Sequence, residues 1–432
     1  MSGAGARLLD LALGLVDRDR RRGVGRDVDL AWLGLGADRD RDREHAVRVA
    51  GGDALGVDAL TQAELTQEAS CLALARDPLD ALLGRQRALG PDRQQLTVDI
   101  DAAYIAQAAM FSGISAIDNS PATADARNEF ARSLQMRANM SMAQMMAMMR
   151  TDNGMQMPGP FDEQESTVSS EMMGLLRTRP SRRDIEAAYE DSSLPSQAVE
   201  VIRRGRSFES RIYEIFADSS VGYKTAALAD AVATYVSAGL SVPAQPKSAS
   251  LLLDHPYAGA FVDGYPKLSS VLWSTQWLRL AIIEAMILQE QDTYYWGSLE
   301  TVRERFESKI VDSTRSPLPV ELPMAPAIAP TLFTLNAEVA IVLDNLSMFE
   351  TVLADMLTYP NLDDKLALVD SLVDEFTNHA ENFDPTIDYL ISALRGGIYN
   401  QGGPAIGELS QSERNRSRME MGMQHAMIMG TP

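Results

Sequence analysis

The stretch NAEVAIVLDNLSMFETVLADMLT, residues 336–358, decides the fold class of this chain. Val339, Val342, Leu343, Leu346, Phe349, Val352, Leu353, Met356 and Leu357 recur at three- and four-residue spacing, the period of one helix face. The pattern predicts an amphipathic helix of about five turns, with Asn336 as its N-cap. On that reading Asp344, Glu350, Thr351 and Asp355 belong to a solvated outer face.

The same period continues outward from this stretch. Leu366, Val369, Leu372, Val373 and Phe376 predict a second helix, and residues 387–394 a third that ends at Gly396 and Gly397. Upstream, Leu228, Ala231, Val232, Tyr235 and Val236 fall on one face of residues 223–238, with Gly239 in the C-cap position. Pro195 and Ser196 begin another helix, in which Gly205 reads as a weak point. Ser181 with Asp184 has the form of a capped helix start. Few short runs alternate apolar and polar residues between turn dipeptides. The fold class expected is therefore all-α: an irregular multi-helix domain with a Met-rich helical arm, a Pro-rich loop and a flexible C-terminal tail. The loop is residues 316–330, whose five prolines predict an extended path across the surface. Residues 396–407, with five glycines, read as an irregular loop.

Composition divides the chain at residues 99 and 100. Lys, Asn, Ile, Phe, Tyr and Met are absent from residues 2–99, although they supply 79 of the 333 residues from Ile100 onward. Residues 1–99 are thus compositionally anomalous and read as disordered or as not genuine coding sequence. The expected organisation continues with a Met-rich helical arm and loop over 100–180. The main helical domain follows over 181–400, then a Gly-rich loop and Met/Arg tail over 401–432.

A net charge of −21 excludes nucleic acid as the main partner, since phosphate binding relies on clustered Lys and Arg. The clusters Arg203, Arg204, Arg206 and Arg414, Arg416, Arg418 are too small for that and are expected to pair with acids. The one cysteine, Cys71, lies in the anomalous segment, so the body offers no disulfide and no thiolate zinc site. Residues 271–288, the most apolar, carry Arg279 and Glu284; no transmembrane span is expected. The chain is read as soluble, cytoplasmic or, if a leader is missing from this translation, extracytoplasmic.

Methionine carries the chemistry that the sequence offers. Eleven of 22 lie within residues 136–173 and five more within 419–429. Thioether sulfur is a soft ligand that favours Cu(I), and the alternating tail supplies Met421, Met423, His425, Met427 and Met429 as a candidate ligand set. In residues 136–149, Met142, Met145, Met146 and Met149 form one helical stripe, which suits packing or a partner interface at least as well.

His255 stands in a turn, where Asp254 or Tyr257 could satisfy it, and Glu375 with His379 would share a helix face as a surface pair. Trp273 and Trp277 are one helical turn apart and read as core, with a ligand pocket as the alternative. Tyr294, Tyr295 and Trp296 extend that aromatic group. No nucleophile elbow, phosphate loop or dinucleotide fingerprint is present, so an enzyme is disfavoured and no catalytic residue is assigned. The expected function is a non-enzymatic helical interaction or scaffold protein that docks a protein partner through its Met-rich arm or tail. One alternative is a copper-binding or copper-handling protein. The other is an enzyme of unrecognised type with a pocket near Trp273 and Trp277.

Overall fold

The computed structural model describes residues 91–139, 159–312 apart from 191 and 219, 321–393 apart from 363, and 405–406. Side chains of 91–99, 138, 293 and 309–312 lie outside that description. So do residues 1–90, the Met stripe from Met142 to Met149, and the tail from 407.

The described residues are helical, joined by turns, with no sheet among them and one isolated bridge between Lys247 and Phe383. The chain runs α1 (Pro91–Asn119), α2 (Ala124–Ala138), α3 (Asp162–Leu175), α4 (Arg182–Ala187), α5 (Ser196–Ala217) and α6 (Lys224–Val236). Then follow α7 (Ser250–Leu253), α8 (Ala260–Gly264), α9 (Pro266–Gln291), α10 (Ser298–Asp312), α11 (Ala325–Ile328) and α12 (Pro330–Leu335). The last three are α13 (Ala337–Thr358), α14 (Lys365–Thr377) and α15 (Thr386–Ala393). The all-α class is as expected, and so are several starts: Asn336 Oδ1 accepts from Glu338 N and Val339 N, and Ser181 with Asp184 forms a capping box.

Helix α13 is not amphipathic. Nineteen of its 22 residues are buried, because α1, α5, α6, α8, α12 and α14 all pack against it. A helix enclosed on every side has no outer face for its polar residues, and Asp344, Glu350 and Asp355 are accordingly buried. This corrects the solvated-acid expectation. Helix α9 is the second core helix, contacted by α1, α3, α5, α8, α10, α11 and α12. Ile100–Asn119 and Pro266–Gln291 are long and apolar enough, by length and composition, to cross a membrane. The second of these contains residues 271–288, with Arg279 and Glu284 inside the run. In the fold, 89% of the most apolar window of Pro266–Gln291 is buried.

Other expectations also change. Pro326 and Pro330 do not lie in an extended surface loop: they open α11 and α12, where a missing N–H costs nothing, and residues 322–329 are buried. Gly205 is a close approach, since a Cβ there would stand 2.7 Å from Leu346 Cδ2. Leu240 (φ 58°), not Gly239, takes the left-handed conformation after α6. Leu366 is exposed rather than on the buried face of α14.

What caps three short helices and the long α9 is supplied from a distance. The residues preceding α8, α9, α11 and α12 give no side-chain cap. Four buried carboxylates do so instead. Asp355 accepts from Phe261 N at 2.9 Å and Gly259 N at 3.2 Å. Glu165 accepts from Lys267 N at 2.5 Å and Leu268 N at 3.0 Å. Asp344 accepts from Ala325 N at 3.0 Å, and Glu284 from Thr331 N and Leu332 N at 3.0 Å. Cations close the C-terminal ends of other helices: Arg127 bonds Ile117 O in α1, Lys224 Phe216 O in α5, Lys365 Leu357 O in α13, and buried Lys247 bonds Asn378 O just after α14 and Glu381 O beyond it. Each sign matches the partial charge of the helix end it meets.

Burial pushes the Asp344 and Glu165 carboxyls up to about 7, against the lowering effect of these hydrogen bonds. In the unfolded chain both titrate near 4. Between those values the folded state keeps protons that the unfolded state has released. Their stabilising contribution is therefore full below about pH 4 and is lost as pH rises through about 7. We expect Asp344→Asn, which keeps an acceptor for Ala325 N without a titrating proton, to flatten the fall in urea midpoint between pH 5 and pH 8. An unchanged slope in the variant would exclude Asp344 as its source.

Candidate functional site

The strongest concentration of buried charge lies where α1, α5, α9 and α13 meet. Arg279 of α9 donates from Nη2 to Glu350 at 2.9 and 3.2 Å and from Nη1 to Ser347 Oγ at 3.1 Å, and its Nε stands 3.2 Å from Glu209 Oε2. Gln276 Nε2 donates to Ser347 O at 3.0 Å and lies 3.3 Å from Glu350 Oε2. Tyr213 Oη lies 3.0 Å from Glu209 Oε1 and 2.8 Å from Arg279 O. On the α1 side Arg206 pairs with Asp101, its guanidinium 5.0 Å from the Tyr104 ring centroid. Tyr189 Oη donates to Gln107 Oε1 at 3.2 Å, while Gln107 Nε2 is buried without a partner.

Two carboxylates thus share one guanidinium. Burial disfavours the charged form of Glu209 and raises its pKa, opposed chiefly by Arg279. For Arg279 burial acts downward, but Glu350 and Glu209 outweigh it and hold the guanidinium firmly charged. Burial pushes the Tyr104 hydroxyl up to about 12. Gln107, Arg206, Glu209, Arg279 and Glu350 line a cavity of about 30 Å³. That suits a water, which needs only about 10–15 Å³, whereas small-molecule pockets run to about 300–1,000 Å³. Chemically the cluster is a buried ion network that ties four helices together.

The expected site residues are scattered rather than gathered. Trp273 and Trp277 are core, as read from the sequence; Trp277 is 0% exposed and Trp273 Nε1 donates to Glu321 O at 2.8 Å. Tyr294 and Trp296 point outward. His255 does not bond Asp254 or Tyr257: its Nε2 stands 3.5 Å from Asp355 Oδ2. His379 and Glu375 do not share a helix, because α14 ends at Thr377. Instead His379 Nε2 lies 2.8 Å from Ser241 O, and Glu375 accepts from Asn382. Arg203 and Arg204 pair with Glu200, as expected of a basic cluster on an acidic chain. Met421, Met423, His425, Met427 and Met429 lie outside the described residues, as do Arg414, Arg416 and Arg418. Among the described residues no group of three or more His, Cys, Asp or Glu is placed to hold a metal.

Glu209, Gln107, Glu165 and Lys247 escaped the sequence reading. Arg279 and Glu284 carried a signal: a charge inside an otherwise apolar helical run must find a buried partner. Compared with protein-family models, curated proteins and solved structures, the chain matches none.

Arg279→Met leaves Glu209 and Glu350 buried without their cation and is expected to cost about 3–5 kcal/mol, read from the urea midpoint. Combining it with Glu209→Gln and Glu350→Gln should recover much of that loss. If the triple variant is no more stable than the single one, charge imbalance is not what the arginine relieves.

Proposed function

We propose that this chain is a non-enzymatic helical interaction protein that engages a protein partner through its Met-rich segment and tail. One observation carries the reading. The two ends of residues 140–158, a stretch with eight methionines, are held at one place on the body. At one end Arg137 pairs with Asp263, and Met136 beside it is 61% exposed. At the other, Gly159 is seated so closely that a Cβ would stand 2.6 Å from Gly264 O and 2.8 Å from Pro266 Cδ. Both anchors belong to the α8–α9 junction. Methionine, unbranched and polarisable, adapts its shape to varied apolar partners. The buried ionic groups, in turn, are engaged in holding helices.

A photo-crosslinking residue at position 142 or 145, in cells that express the chain natively, should capture a discrete protein that the exposed control position 230 does not. With the crosslinker at position 142, replacing Met145, Met146 and Met149 with Ser should abolish capture. Equal capture from position 230 would overturn the reading.

The tail supports a second reading, copper handling, on its alternating spacing of soft sulfur donors around one imidazole. Met421, Met423, His425, Met427 and Met429 would hold Cu(I). Cu(I) titrated against a competing chelator should bind the full chain, and Met421→Leu with Met423→Leu and Met427→Leu should remove that binding. Binding that survives the triple substitution would remove the tail assignment.

A further inference from the structure

Tyr294 and Trp296 are each 83% exposed, on a turn held by its own hydrogen bonds. Tyr294 N donates to Asp292 Oδ1 at 2.9 Å, Tyr295 N to Asp292 O at 3.1 Å, and Ser298 Oγ to Tyr295 O at 2.6 Å. The Tyr294 and Tyr295 rings meet edge to face at 5.3 Å, and Gly297, with φ +88°, turns the chain into α10. Large aromatic rings on a braced turn form a contact surface that loses little conformational freedom on binding.

The surface that continues from this turn is acidic. Asp292 lies within it, and Glu300, Glu304 and Glu307 follow along the exposed side of α10, four and three residues apart and so on one face. Arg303 bonds Glu300 at 2.8 Å. The chain returns to this helix much later. Arg305 Nη1 donates to Ala405 O at 2.9 Å, and the buried Ala405 donates from its own N to Ile328 O at 2.9 Å.

Arg414, Arg416 and Arg418 come soon after that anchor. The eight residue steps from Ile406 to Arg414 can span up to about 26–29 Å, whereas Ser298 lies only about 10 Å along α10 from Arg305. We propose that Arg414, Arg416 and Arg418 dock in cis on the acidic face of α10, with a guanidinium over the ring of Trp296 or Tyr294. Arginines at every second position of an extended segment share one side at about 6.6–7 Å spacing. That approximates the roughly 5–6 Å between successive acids on a helix face. Guanidinium is also the cation that stacks best on aromatic rings.

Two measurements on the full chain test this. In a Cys71→Ser background, Glu304→Cys with Arg416→Cys should close an intramolecular disulfide under mild oxidation, while Asp230→Cys with Arg416→Cys should not. A disulfide-linked dimer, meaning docking between copies, or no disulfide at all would overturn the proposal. Separately, Arg414→Glu with Arg416→Glu and Arg418→Glu should raise acrylamide quenching of Trp296 about twofold as its cover is lost, taken as the difference from Trp296→Phe. Adding Glu300→Arg, Glu304→Arg and Glu307→Arg should restore the original value. Quenching that ignores both sets of charges would overturn it as well.

Discussion

A helix end leaves four backbone groups without partners inside the helix, and burying them unsatisfied costs more than a short helix can repay. The structure depends on how that constraint is met at α8, α9, α11 and α12, which begin inside the molecule with no cap of their own. Each receives a carboxylate from another helix: Asp355, Glu165, Asp344 and Glu284. The bond does two things at once. It satisfies orphan N–H groups, and it fixes where the start of one helix sits against another. Lys224, Lys247, Lys365 and Arg127 do the same for part-buried carbonyls at the C-termini of other helices.

The four-helix junction follows the same logic with full charges. Arg279 is shared by Glu209 and Glu350, and Tyr213 and Gln276 fill remaining bonding positions. Such a network adds little net stability over an apolar core of equal volume, but it penalises any arrangement that separates its members. Drawing these helices apart would leave Arg279, Glu209 and Glu350 without their counter-charges. The exposed aromatic turn of Tyr294 and Trp296 lies outside this junction, and the functional reading rests on surfaces and segments.

How legible these features were in the sequence varied residue by residue. The caps by Asn336 and by Ser181 with Asp184 act within three residues, so local reading found them. The acids of α13 were misplaced because spacing reports which residues share a face, not what that face meets. Pro326 and Pro330 misled for a similar reason: a proline forbids a helix interior but suits a helix start, and only the buried neighbours show which applies. Gly205 looked like a flaw in α5 and proved to be the point where Leu346 of α13 comes closest.

By itself the sequence determined the all-α class, the positions of α4, α5, α6, α13, α14 and α15, the absence of thiol chemistry from residue 100 onward and the uneven placing of methionine. Each depends on composition or on spacing within a few residues. Only the tertiary structure decided that α13 is enclosed, that Asp344, Glu165, Glu284 and Asp355 cap helices far away in the chain, and that Arg279 sits between two acids. The physical reason is that a charge inside a helical run can face water or a partner at equal local cost. The choice between them belongs to whichever distant element packs against it.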